Sequence, residues 1–144
     1  MEKKIKIKKI SLITLLITAL YFLQCYWAMG AYFNDLSCGC LDCSVWIELI
    51  FDSVVQLIII IPIRLLCWKL EIKKLWQIIC PSIILCCFWL FMDNEIFKDR
   101  VSCWSTFSTS EEWYYTRHLS LLPIFVCIIV FAFLLYPILN LNKK

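Results

Sequence analysis

An all-α membrane protein of four antiparallel transmembrane helices is the fold class this sequence predicts, and three observations carry the prediction. Four apolar runs, 10–33, 45–66, 75–92 and 119–139, each approach the roughly 20 residues a helix needs to cross a bilayer. The charges between them fall on alternate sides. Eleven of the fourteen Lys and Arg lie in the N-terminus, around the middle connection or in the C-terminus, and nine of the eleven acids lie in or just below the other two connections. This positive-inside pattern places both termini and the 67–74 turn in the cytoplasm of a bacterial inner membrane. Finally, a chain of 144 residues that is 62% hydrophobic has too few polar residues to coat a soluble globule, whereas its seven Trp suit two membrane interfaces.

Each element follows in order. Helix one is preceded by the basic cluster Lys3, Lys4, Lys6, Lys8 and Lys9, which sets orientation and meets anionic headgroups. Ala28-Met29-Gly30 has the small residues of a signal cleavage site, but the run before it is too long and carries Tyr21, Phe22, Tyr26 and Trp27, so an uncleaved helix is expected. Helix two carries a polar stripe, Glu48, Asp52 and Gln56, four residues apart and therefore on one face. A second cluster, Lys69, Lys73 and Lys74, marks the inner turn before helix three. The outer segment 93–118 contains Ser108 and Glu111 at capping-box spacing, as are Thr109 and Glu112. A short helix is expected to start there and run into helix four.

With only two glycines there is no small-xxx-small stripe, so helix contact rests on shape fit and on polar groups. Pro62, Pro81, Pro123 and Pro137 fall in three of the helices and are potential bends. No internal repeat, low-complexity segment or linker interrupts residues 1–144, so one membrane domain is expected.

The ten cysteines divide by location. Cys25, Cys67, Cys80, Cys86, Cys87 and Cys127 lie in or at the ends of helices, where cysteine packs as a small apolar residue. Cys38, Cys40, Cys43 and Cys103 fall in the outer segments, which are oxidising if this side is a periplasm. Four cysteines allow three pairings, and the sequence does not choose among them. Two structural disulfides are one reading, with Cys103 stapling the second outer loop to the first. The four also match the ligand count of a zinc site, but an oxidising compartment argues against it, and no metal is expected.

Cys40-Leu41-Asp42-Cys43 supports a sharper reading. Cys43 stands directly before helix two, whose N-terminus favours negative charge and so a thiolate. Four helices with a Cys-x-x-Cys in the first outer loop resemble the DsbB family of quinone-linked thiol oxidases. The resemblance implies that Cys40 and Cys43 take electrons from a second loop thiol and pass them to quinone. The second loop here offers Cys103 alone where the family has a pair, and Cys38 is the candidate for the missing partner. The stretch 44–52 carries Glu48 and Asp52 and no Lys or Arg, where the family has a basic residue near quinone.

For the stripe, Asp52 is seven residues past Val45, roughly 10 Å along the helix axis. Charge at that depth costs about 2.5–3.5 kcal/mol, so it faces protein or water. Cation or proton binding and pairing with a partner's basic helix are the candidate uses, with Gln77 and Ser82 as candidate hydrogen-bond mates. A helix two that begins near Val54 would instead leave Glu48 in the headgroup layer. His118 reads as an interfacial anchor. Trp113, Tyr114 and Tyr115 read as belt residues that also suit partner contact.

No complete catalytic constellation is present in the sequence. The expected function is therefore non-enzymatic: a lipid-embedded protein that binds or protects against another membrane protein, as accessory or immunity proteins do, without a cofactor. Nucleic acid is not an expected partner, since the basic residues are lipid anchors. The alternative is a DsbB-like thiol oxidase that uses quinone.

Overall fold

The computed structural model describes residues 2–40, 43–70 and 72–140, with side chains over 8–40, 43–70 and 72–139. The side chains of Lys3, Lys4 and Lys6, residues Leu41 and Asp42 of the Cys-x-x-Cys motif, and the C-terminal Lys143 and Lys144 lie outside them. Among the described residues every regular element is helical: α1 (Glu2–Met29), α2 (Val45–Lys69), α3 (Lys74–Arg100) and α4 (Thr109–Asn140), with short 3-10 turns at Gly30–Tyr32 and Ser102–Trp104.

All four helices contain a segment long and apolar enough to cross a membrane. At 1.5 Å per residue, the 32 residues of α4 extend about 48 Å, well beyond a hydrocarbon core of roughly 30 Å. Side-chain placement fits lipid surroundings. Phe133 is 75% exposed and Leu15 68%, while the buried cluster draws Ile17 and Tyr21 from α1, Leu49 and Ile60 from α2, Leu85 and Trp89 from α3, and Phe131 and Leu135 from α4. Apolar residues thus face both ways, as a helix flanked by lipid and by other helices requires. Helix α4 packs most extensively, along both α3 and α1.

Two boundaries differ from the hydropathy pattern. Helix α3 does not stop near Met92 but runs to Arg100, and α4 starts at Thr109 and not Leu119, so the second outer connection shrinks from 93–118 to 101–108. The α3 extension has a clear cause. Leu85, Trp89, Asp93, Ile96, Phe97 and Arg100 are all buried, in steps of three and four residues. The buried stripe continues, but its members become polar. At α4, the backbone N–H and the hydroxyl of Ser108 both donate to Glu111 Oε2 at 2.8 Å, which is the capping contact expected from the spacing. Helix α1 ends at Met29 and passes into a 3-10 turn, short of the expected Phe33, and the connection between α2 and α3 narrows to 70–73.

The helices continue through Pro62, Pro81, Pro123 and Pro137. Two cross-helix contacts tie the end of the bundle that carries Lys9 and Arg64. Lys9 Nζ donates to the Leu139 carbonyl at 3.2 Å, and Arg64 Nη1 donates to the Gln77 carbonyl at 2.5 Å.

Candidate functional site at the disulfide end of the bundle

The opposite end is built on the last turn of α3. Asp99 receives two backbone amides from the first connection: Cys38 N–H on its carbonyl and Gly39 N–H on Oδ1, each at 3.0 Å. One residue on, Arg100 is only 3% exposed. It donates to the Asp35 carbonyl at 2.6 Å, to the Cys43 carbonyl at 3.4 Å and to Glu48 Oε1 at 2.9 Å. The indole of Trp104 donates to the Leu36 carbonyl at 2.8 Å. These donors satisfy carbonyls of a loop that has no secondary structure to satisfy them.

Covalent links complete the cross-bracing. Cys38 and Cys103 form a disulfide with Cα atoms 6.4 Å apart, joining the first connection to the second across 65 residues. Cys40 and Cys43 form the other, with Cα atoms 5.2 Å apart, and Cys43 N–H also bonds the Cys40 carbonyl at 3.1 Å. Of the three pairings the sequence allows, this is the one present. All four cysteines are exposed, so both bridges are open to attack by an external thiolate. Being oxidised, they are not available as zinc ligands.

Beside the short bridge lies a cleft of about 430 Å³, bordered by Cys40 and by four carboxylates: Glu48, Asp52, Glu95 and Asp99. Met92 and Ile96 form its apolar side. Arg100 offsets the charge of Glu48.

The stripe on α2 is continuous from the first turn, because α2 starts at Val45 and not near Val54. Its members reach different neighbours. Glu48 meets Arg100 of α3, Asp52 Oδ2 accepts from the Tyr21 hydroxyl of α1 at 3.0 Å, and Gln56 Oε1 accepts from the Trp89 indole of α3 at 2.9 Å. Gln77 and Ser82 are not their mates. The Gln77 amide donates to the Ile72 carbonyl and Ser82 back-bonds to Ile78, both well away from the stripe. The stripe therefore acts as polar glue between three helices.

Sequence reasoning passed over a second polar layer. Gln24 Nε2 donates to Asp93 Oδ2 at 2.5 Å and Thr116 donates to Asn94 at 3.2 Å, all four side chains buried. The available signal was spacing. Asp93 follows Trp89 by four residues and precedes Arg100 by seven, on the stripe that α3 buries.

No protein-family model, no curated protein and no solved structure matches this chain.

The aromatic stretch at the start of α4 is split by its surroundings. Tyr115 stacks with Phe97 at 6.3 Å and meets Phe107 edge-on at 5.2 Å, so its ring is engaged within the fold. Trp113 is half-buried and its carbonyl accepts from Arg117. Tyr114 is 66% exposed and Trp104 57% exposed, and Trp46 on the first turn of α2 is exposed as well. His118 is exposed.

Proposed function

We propose that this chain is a multi-pass protein of a bacterial inner membrane that binds, and thereby restrains or protects against, another membrane protein. In this reading the four helices are antiparallel, both termini are cytoplasmic and the disulfide end faces outward. The observation that supports it best is the bracing of that end. One long-range disulfide and five hydrogen bonds to loop backbone hold the first connection against α3 and the turn after it, and one ion pair ties the first turn of α2 to the same end of α3. A loop fixed before contact loses little conformational freedom on binding, which favours affinity for a partner. Tyr114 and Trp104 are the anchors such a surface presents, with Trp113 and Tyr115 supporting them.

A photo-crosslinking residue at Tyr114, compared with one at the lipid-facing Phe133, tests this in native membranes. The proposal expects a discrete protein adduct at Tyr114 only. Adducts at neither position, or equal smears at both, would count against it.

A second reading is favoured by one specific observation. The Cys40–Cys43 bridge borders an open cleft, and Arg100 of α3 reaches the Cys43 carbonyl, so a basic group stands beside the motif although none follows it in sequence. Here an incoming thiolate attacks one sulfur of the bridge to form a mixed disulfide, and a second thiol of the same substrate resolves it and leaves as the substrate's disulfide. The two electrons and two protons of the reduced Cys40 and Cys43 pass to quinone as the bridge re-forms. Thiol trapping before and after quinone withdrawal separates the readings. Reduced Cys40 and Cys43 that accumulate without quinone establish the oxidase; bridges that stay closed leave the binding role standing.

A further inference from the structure

We infer that the basic end of the bundle carries a binding site for the phosphate group of an anionic phospholipid, with Arg64 as its principal contact. Arg64 lies five residues from the end of α2 and is only 3% exposed. Its Nη1 donates to the Gln77 carbonyl, but Nε and Nη2, both buried, have no hydrogen-bond partner among the described residues. A buried guanidinium with two unmet donors is a costly arrangement, and an anion is the ligand that relieves both the charge and the donors. Nε and Nη2 lie on one edge of the planar fork, and that edge matches two phosphate oxygens or one shared between them.

The surroundings select what brings the phosphate. Arg64 opens into a cleft between α1 and α2 whose free volume is about 10 Å³. That is room for one water or one phosphate oxygen and not for a whole headgroup, so the rest of the ligand must stay at the rim. Lys9 and Lys74 stand close enough for their charges to act on one another there, and Arg64 adds to the same field. Trp68 lies over the guanidinium at 5.6 Å, as an interfacial ring does. Apart from Thr14, the rest of the cleft is lined by aliphatic side chains, among them Ile10, Ile13, Ile17, Leu57 and Ile61, a wall that suits an acyl chain better than a free ion. Basic pockets between helices at a cytoplasmic surface bind anionic headgroups in this way. That the lipid comes from the inner leaflet rests on the orientation proposed above. The binding itself does not.

Native mass spectrometry of the full chain in detergent tests the site with three probes: phosphatidylglycerol, phosphatidylcholine of the same acyl chains, and inorganic phosphate. The expected result is retention of phosphatidylglycerol about tenfold above phosphatidylcholine, the scale of a lost charge-assisted contact, with no retained phosphate adduct. Arg64→Gln should bring phosphatidylglycerol down to the phosphatidylcholine level. Arg64→Lys keeps the charge and guards against a folding defect; it should weaken retention severalfold, because the fork is gone. Equal retention of the two lipids, phosphatidylglycerol binding unchanged in Arg64→Lys, or phosphate displacing the lipid would each overturn the inference. Cysteine-accessibility mapping of the two ends reports the orientation separately, so failure of one leaves the other intact.

Discussion

The two ends of this bundle are held by different means. At the disulfide end, several loop carbonyls and backbone amides and the carboxylates of Glu48 and Asp99 find partners within the chain, and two covalent bridges close the set. At the basic end the cross-helix contacts are single bonds from Lys9 and Arg64 to backbone carbonyls, and Arg64 keeps two donors unmet. The first end leaves only the Arg100 Nε of its guanidinium unmet among the described residues and is braced before anything binds. The second is completed by what surrounds it. The contrast fits a molecule whose recognition sits at one interface and whose anchorage sits at the other.

The change with the largest expected effect breaks the first end. Arg100→Ala removes three hydrogen bonds at once, one of them the ion pair to Glu48, and leaves Glu48 without its cation, so unfolding in detergent should become easier by about 3–5 kcal/mol. Arg100→Lys should restore only part of this, since one ammonium cannot span the Asp35, Cys43 and Glu48 oxygens as a fork does. The disulfides rank next, and differ between themselves. Replacing Cys38 and Cys103 by Ser frees a loop of 65 residues and should cost up to about 4 kcal/mol. The Cys40 and Cys43 double change opens a loop three residues apart in sequence, with a ceiling of about 2 kcal/mol. Denaturant titration of both double variants checks the order. A short bridge that mattered more than the long one would mean that Cys38–Cys103 does little bracing.

Much of this contrast is legible in the sequence, and some is not, for identifiable reasons. The start of α2 at Val45 and the cap at Ser108 and Glu111 depend on local signals, and the structure has them where the pattern puts them. The end of α3 does not follow from hydropathy, because Asp93, Asn94 and Arg100 are buried by helices that lie far away in sequence. Periodicity survives where apolarity fails: Trp89, Asp93 and Arg100 keep the helical step. The partners of the α2 stripe are harder still. Arg100 is 52 residues from Glu48 and Tyr21 is 31 from Asp52, and no spacing rule links them. The unmet donors of Arg64 are a property of three-dimensional burial alone.

Between the two ends, Trp89→Phe probes the middle of the bundle. It keeps most of the buried ring but removes the donor to Gln56, whose Nε2 already lacks a partner among the described residues, so the Gln56 amide loses its one described contact. A loss of about 1–3 kcal/mol is expected by thermal unfolding in detergent. Adding Gln56→Leu should recover part of it, because the pair is then replaced by apolar groups. No recovery would show that the indole matters by shape alone.

The smallest effect is expected at the basic end, where it depends on the surroundings. Lys9→Met keeps the apolar stem packed and removes the ammonium that bonds the Leu139 carbonyl near the end of α4. A cation at a helix C-terminus contributes roughly 0.3–1 kcal/mol, so in neutral detergent the Tm should fall only slightly. In bicelles rich in phosphatidylglycerol the same change should cost more, because Lys9 also belongs to the positive field around Arg64 that attracts the lipid. Arg100→Ala, by contrast, should cost the same in both media, since all its partners are in the chain. It is this difference between media that tests whether the two ends are held in different ways. Equal medium dependence for both variants would mean that lipid completes neither end, and the contrast would reduce to one of contact number.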